Sequence, residues 1–387
     1  MSKAIERLVP IEYDPSHEVR EEDEEKTIQG LKETLKQIAD TTYEDSGHAF
    51  RSVHLKSHGI LRAELEVADN LPPLLAQGLF AHPARYPVVM RFSTSPGDEL
   101  HDKVSTPRGL GIKVIGVEGE RLPGSEGDVT QDFVLVNGPA FLVPGPKKFL
   151  TNLKMLAATT DKAPEAKKVL AAALRGTEKL VEAAGGESAK LKALGGHPLT
   201  HVLGDTFFSQ VPILFGRHMV KVSVVPVSSG LLALKDKTVD LDDRPNGLRE
   251  EVVSFFANNE AEWEIRVQFC TDLDSMPIED ASVAWSEDES PYIAVARLRA
   301  ASQEAWNDAL RAAVDDGIAF NPWHGLAAHR PIGAIMRVRK EAYELSAALR
   351  AARNGIDLTE PKDMSFFPGA SNITGVEQST PAYTQGE

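Results

Sequence analysis

The chain has 387 residues, 42% of them hydrophobic, and carries 57 acidic against 42 basic side chains for a net charge of −15. That is ample for a core, and the acidity argues against nonspecific nucleic-acid or anionic-membrane binding as the main task. A single cysteine, Cys270, excludes an intramolecular disulfide and a Cys-based zinc or iron–sulfur site.

No stretch approaches the roughly 18 uninterrupted apolar residues of a membrane span. The amino-terminal residues also lack the apolar run of a signal peptide. The expectation is a soluble, cytoplasmic protein of two or three domains, or one large barrel. The first 20 residues are polar, contain Pro10 and Pro15, and read as an extended arm. The acids Glu21 to Glu25 then precede Ile28, Leu31, Leu35 and Ile38. That spacing predicts an amphipathic helix with its acids at the end the helix dipole favours. Arg51, Val53 and His54 alternate in a segment that reads as a strand. Leu61, Ala63, Leu65 and Val67 alternate with charged residues, the pattern of a half-buried strand.

Strands over 88–93, 109–115 and 132–137 follow, with 116–127 as a long hairpin connection built on Pro123, Gly124 and Gly127. Strand after strand without helices predicts an antiparallel sheet or barrel. Residues 146–195 are rich in Ala, Lys, Leu and Glu and read as two or three inserted helices, punctuated by Gly185-Gly186 and Gly195-Gly196. Strands resume at 218–225 and 262–270, the second with Trp263, Ile265, Val267 and Phe269 on one face. From Ser302 the chain reads as helical, with a turn at Asn321-Pro322-Trp323-His324. Pro331 opens a helix that bears Ile335, Val338, Ala342, Leu345 and Leu349 on one face and stops at Asn354-Gly355. The tail from Asp357 is expected to wrap the surface. There is no internal repeat and no GxGxxG or GxxxxGK[ST] phosphate loop.

Three separated stretches carry chemistry. The His54 imidazole can move protons near neutral pH, and Arg51 beside it can hold an anion. Arg339 and Tyr343 are four residues apart on one helix face, where a cation favours the phenolate, a hard ligand suited to ferric iron. Arg350 lies two turns further along that face, placed to meet an anionic group of whatever Tyr343 binds. The histidine pairs His54/His58, His197/His201 and His324/His329 raise a zinc hydrolase as a different class, but there is no HExxH.

Five segments extend these stretches: Arg51-Ser52-Val53-His54; Met90-Arg91-Phe92-Ser93-Thr94; Thr106-Pro107-Arg108-Gly109-Leu110-Gly111-Ile112-Lys113; Val134-Leu135-Val136-Asn137-Gly138-Pro139-Ala140-Phe141; and Arg339-x-x-x-Tyr343. In that order, across residues 45–350, they resemble the haem catalases, and in particular the small catalase-related (catalase-like) haem proteins. The resemblance implies an α+β fold: an eight-stranded antiparallel β-barrel with inserted and C-terminal helices. The arm and first helix would span 1–45, the haem-binding domain 46–355 and the tail 356–387.

The resemblance further implies haem b as cofactor and a peroxide as substrate. Tyrosine ligation of the iron is the known arrangement in catalase, so its transfer to Tyr343 rests on the resemblance. His54 would be the distal acid/base and Asn137 the amide that orients peroxide. Arg339 would keep Tyr343 ionised, and Arg51, Arg91 and Arg350 would bind the haem propionates. Ser93 would fix the His54 tautomer, Gly109 would border the cofactor, and Val53 and Phe149 would pack beside it. The implied activity is a catalase-related peroxidase reducing hydrogen peroxide or organic hydroperoxides, with an organic reductant as a second partner and a homo-oligomer left open.

A fatty-acid hydroperoxide isomerase or lyase of the catalase-like type is the nearest alternative, but those proteins carry threonine where this chain has Val53. A non-enzymatic haem-binding protein is the other. Around Asn137 the chain is one residue shorter than full-length catalases, and it has no flavodoxin-like end domain. Larger hydroperoxides are therefore expected to be accepted alongside hydrogen peroxide.

Overall fold

The computed structural model describes residues 8–97, 99–158 and 197–369. Among the described residues there are nine strands: β1 (Ser57–Val67), β2 (Arg85–Thr94), β3 (Arg108–Ile115), β4 (Thr130–Val136), β5 (Phe207–Phe208), β6 (Ile213–Phe215), β7 (His218–Pro226), β8 (Ala261–Phe269) and β9 (Ile293–Ala300). The helices are α1 (Glu24–Ser46), α2 (Pro146–Ala157), α3 (Ser229–Leu232), α4 (Gly247–Phe256), α5 (Asp308–Arg311) and α6 (Ala334–Asn354).

Every strand pairing is antiparallel, in the order β5-β4-β3-β2-β1-β9-β8-β7, and β5 pairs back onto β7 to close an eight-stranded barrel. β6 continues along the same edge of β7 beyond β5, so the two short strands share one place in the ring. This is the expected α+β architecture, with the barrel at its centre.

Strand periodicity decides what faces inward. Leu61, Ala63 and Leu65 of β1, Met90 and Phe92 of β2, Leu110 and Ile112 of β3, and Trp263, Ile265 and Val267 of β8 all enter one central core. The alternate residues of β1–β3 point outward. There Ile60, Val89 and Ile115 form a second cluster with Val314, Ile318, Met364 and Phe367. The outer face of β2 and β3 is thus roofed by the 310–320 segment and the tail rather than open to water.

The tail is fixed by more than apolar contact. The Thr359 N–H donates to the Gly317 carbonyl at 3.1 Å. Glu360 reaches the fully buried Lys113, which is also paired with its cross-strand neighbour Asp132 at 2.8 Å.

Several elements differ from the sequence reading. Arg51–His54 is a bend and not a strand, because His54 takes a left-handed backbone (φ 54°) that no extended pairing allows. β9, β5, β6 and α4 carried no sequence signal strong enough to be assigned. Helix near 302 begins only at Asp308, where the Asn307 side chain caps the Leu310 N–H. The last helix opens on Gly333 rather than Pro331, and ends as expected with Gly355 in the left-handed conformation. Of the helices expected over 146–195, α2 supplies the first; the remainder, with both Gly-Gly pairs, lies outside the described residues.

Candidate functional site

Barrel register builds the floor of the site. On the outer face of β2 and β3, Ser93 lies opposite Gly109 and Arg91 opposite Gly111. The two glycines make room there. A Cβ added at Gly109 would fall 2.5 Å from both Cε1 and Nδ1 of His54, and one at Gly111 would fall 3.0 Å from the Phe320 ring.

His54 reaches that hollow because its bend turns the side chain back over the sheet. Its N–H donates to the Ser95 carbonyl at 2.9 Å, and its own carbonyl accepts from Arg91 Nη2 at 3.0 Å. A left-handed backbone at a non-glycine residue is held only where its surroundings enforce it, which is common at functional sites. Nδ1 lies 3.1 Å from Ser93 Oγ, and the Ser93 hydroxyl is 3.5 Å from the Gly109 carbonyl. Burial, then the charges of Arg91, Arg339 and Arg51, push the imidazole pKa down to about 3. His54 is therefore neutral at neutral pH.

Arg51, Arg91 and Arg350 converge on one residue that the sequence reading did not single out, Asp315. Arg51 Nη1 donates to the Asp315 carbonyl (2.8 Å) and Oδ1 (3.1 Å), Arg91 Nε donates to the same Oδ1, and Arg350 Nη1 donates to the carbonyl at 2.6 Å. Ser57 Oγ donates to Oδ2 at 2.7 Å. Asp315 sits in a π-helical turn, Ala312–Asp316, a distortion frequent at functional sites.

Two guanidiniums on one carboxylate, with a third on the carbonyl of the same residue, leave excess positive charge in a buried place. Burial, then the charges of Arg350 and Arg91, hold the Arg51 pKa well below its ordinary value. Burial, aided by Arg91 and opposed by Asp315, lowers Arg350 to about 10, and the Arg350 Nε is buried without a hydrogen-bond partner. The arrangement is short of anionic oxygen.

On α6, Arg339 Nη2 donates to Tyr343 Oη at 2.9 Å, the i,i+4 contact their spacing predicts. The same helix packs Val338 and Ala342 against Leu31, Leu35 and Ile38 of α1, and Val53 and Phe149 border that cluster. Phe149 also stacks edge-on to Phe141, with centroids 5.2 Å apart. The Arg339 charge is among those that depress the His54 pKa.

Asn137 is the exception. It stands next to the Gly109–Val136 pair and so lies near His54 in the sheet. Its amide, however, is used elsewhere: Oδ1 accepts from the Arg108 N–H (2.8 Å), and Nδ2 meets Asp205 Oδ2 (3.0 Å) and His197 Nε2 (2.8 Å). Asp205 in turn pairs at 2.8 Å with the fully buried Arg108. A polar cleft of about 310 Å³, lined by Asn137, His197, Thr200 and Asp205 among others, opens on that side. The Asn137 donors here face a carboxylate and an imidazole. Asp205 did not stand out in the sequence, and Arg108, though part of a recognised segment, carried no role there, since their partners come from distant segments.

Three of the other histidines in the expected pairs are bonded within the fold. His329 Nε2 accepts from the Leu79 N–H (3.0 Å), His201 Nδ1 from the Leu203 N–H (3.2 Å), and His58 Nε2 lies 3.1 Å from Thr94 Oγ1.

No family model matches the sequence, and no curated protein matches it. Solved structures do match in fold. Catalase A from Saccharomyces cerevisiae superposes with a TM-score of 0.56 at 17% identity, over 89% of this chain and 71% of that one. A fungal catalase gives 0.56 at 16% identity, covering 90% and 73%. A bacterial catalase gives 0.55 at 16%, covering 89% and 66%. The fold is catalase-like; at these identities the likeness concerns the fold alone.

Proposed function

We propose that the chain is a haem-dependent oxidoreductase that processes peroxides, with Tyr343 as the iron ligand and His54 as the acid/base. The observation that carries this reading is the electrostatic setting of His54. One neutral imidazole lies over Gly109 and feels the charges of Arg91, Arg339 and Arg51, and Arg339 also donates to Tyr343 on α6. The donor set fits haem. A phenol is held by a cation, and three guanidiniums with an orphaned Arg350 Nε are suited to two carboxylates at the rim of a flat apolar ligand. Haem, when bound, supplies the iron that polarises the peroxide and accepts its oxidising equivalents.

The residues supply the rest. With Nδ1–H donated to Ser93 Oγ and the Ser93 hydroxyl turned to the Gly109 carbonyl, His54 Nε2 keeps its lone pair for a substrate proton. It takes a proton from the near oxygen of a hydroperoxide and returns it to the departing oxygen, help commonly worth about 10²–10⁴-fold. Carboxylates on Arg51, Arg91 and Arg350 would cancel part of the charge that depresses His54 and so strengthen it as a base. Asn137, whose amide meets Asp205 and His197, would have to turn from them to orient a peroxide beside His54.

Tyr343→Phe tests the reading, since phenylalanine offers no ligand atom. Purified variant and wild type are each titrated with haem and followed by visible absorption. The wild type should give a stable ferric spectrum and the variant should lose it. An unchanged spectrum in the variant would show that Tyr343 is not the ligand, and no uptake by the wild type would overturn the haem reading altogether.

A further inference from the structure

Two tryptophans of the described chain are deeply buried, Trp263 and Trp285, and two are partly exposed, Trp306 and Trp323. The exposed pair are wired differently. The Trp323 indole N–H donates to the Met336 carbonyl at 2.7 Å, a backbone group that cannot take up a proton. The Trp306 indole N–H donates to Ser57 Oγ at 3.0 Å, and that hydroxyl donates to Asp315 Oδ2 at 2.7 Å. Asp315 is the residue on which Arg51, Arg91 and Arg350 converge. Two hydrogen bonds therefore join a partly exposed indole to the carboxylate at the centre of the arginine cluster, and both run in one direction.

From this relay we propose that Trp306 is a second oxidation site, at which the protein takes electrons from bulky aromatic donors, such as phenols and arylamines, that do not reach the buried His54. The proposal rests on the haem-peroxide reading above, which supplies the oxidant. In each one-electron step the indole gives an electron to the peroxide-oxidised cofactor. Its N–H proton passes to Ser57 as the Ser57 hydroxyl proton passes to Asp315, leaving a neutral indole radical. A donor D–H at the surface then returns one electron to the indole and releases its own proton to solvent, and the relay proton moves back from Asp315. Two such steps with two protons reduce one hydroperoxide ROOH to ROH and water, and oxidise two donors to radicals.

Arg249 favours the proton-coupled course. Its guanidinium lies 3.8 Å from the centroid of the Trp306 ring, where a positive charge disfavours an indole radical cation and so favours loss of the proton. The same guanidinium is fixed by a 3.0 Å hydrogen bond from Nε to the Ser57 carbonyl.

The test uses the haem-loaded full chain treated with one equivalent of hydrogen peroxide without donor. Rapidly frozen samples are examined by electron paramagnetic resonance, and the quenched protein is digested and mapped by mass spectrometry. The expected result is a neutral indole radical signal that disappears in Trp306→Phe and persists in Trp323→Phe, with oxygen added to the Trp306 peptide at least tenfold more than to the Trp323 peptide. Haem-free protein given the same peroxide should show neither. If haem is bound and its spectrum responds to peroxide, yet the radical is absent or the label falls on Trp323, the inference is wrong. If no haem is taken up at all, it is the underlying haem reading that fails.

Discussion

Gly109 shows how a single residue sets the site. An added Cβ would occupy the place of the His54 ring and also crowd Ser93 Oγ at 3.0 Å, while the strand backbone needs nothing from a glycine there. Gly109→Ala should therefore fold and melt close to wild type but swing the imidazole off Ser93. Peroxide turnover should fall by about 10²-fold, the lower end for a displaced acid/base. Wild-type rates in a folded Gly109→Ala would show that the imidazole does not work from this position. At this scale the sequence was informative where chemistry is local. Arg339 and Tyr343 touch because four residues make a helical turn, and Ser93 meets His54 because both lie in short recognisable segments. Asp315 was illegible for the opposite reason. Its role depends on three arginines from β2, α6 and the bend at Arg51, which no local pattern brings together.

At the level of elements, the π-helical turn Ala312–Asp316 is held down by the charges it gathers. Burial alone would raise the Asp315 pKa, but Arg91 and Arg51 leave it lowered, so the carboxylate is ionised and counters the guanidiniums around it. Asp315→Ala would leave Arg51, Arg91 and Arg350 facing one another, a loss of about 3–5 kcal/mol by the usual cost of breaking a buried pair. Thermal unfolding of the haem-free variant should show a clear drop, and added haem should recover part of it, because its carboxylates supply the missing charge. A variant as stable as wild type without haem would mean that the cluster needs no counter-charge. The turn itself was read only as helix near 302, since a π-turn has the composition of an α-helix and differs in its hydrogen bonds. The long strands other than β9 announced themselves by alternation or by apolar runs between turns. β5 and β6 did not, because two or three residues are too few to show a period.

For the molecule as a whole, buried neutral histidines predict how stability follows pH. Burial pushes His201 and His329 down to about 4, below the roughly 6.5 of an unfolded chain. Between those values the unfolded chain binds more protons. The stabilisation is therefore complete above about pH 6.5 and is lost as pH falls toward 4, by roughly 3 kcal/mol for each group. His54, lower still, adds to the same loss. Buried His58 is depressed as well and adds to the loss, while Asp132, Asp102 and Asp205, raised by burial although their cationic partners oppose it, work in the other sense. The midpoint of urea unfolding should fall steadily from pH 7 to pH 4.5, and a flat profile would contradict the neutral state of these imidazoles.

The barrel ring was legible in most of its strands, whereas its roof was not, and the roof bears on how the chain is made. Lys113 belongs to a strand synthesised early, yet one of the two carboxylates that hold its ammonium group is Glu360, in the tail that also covers the outer face of β2 and β3. A nascent chain can pair β1 through β4 as they emerge, but it must wait for nearly all of the described sequence before that lysine has both its counter-ions. Until then the half-covered barrel exposes the Ile60, Val89 and Ile115 surface, the face that a ribosome-associated chaperone would be expected to occupy.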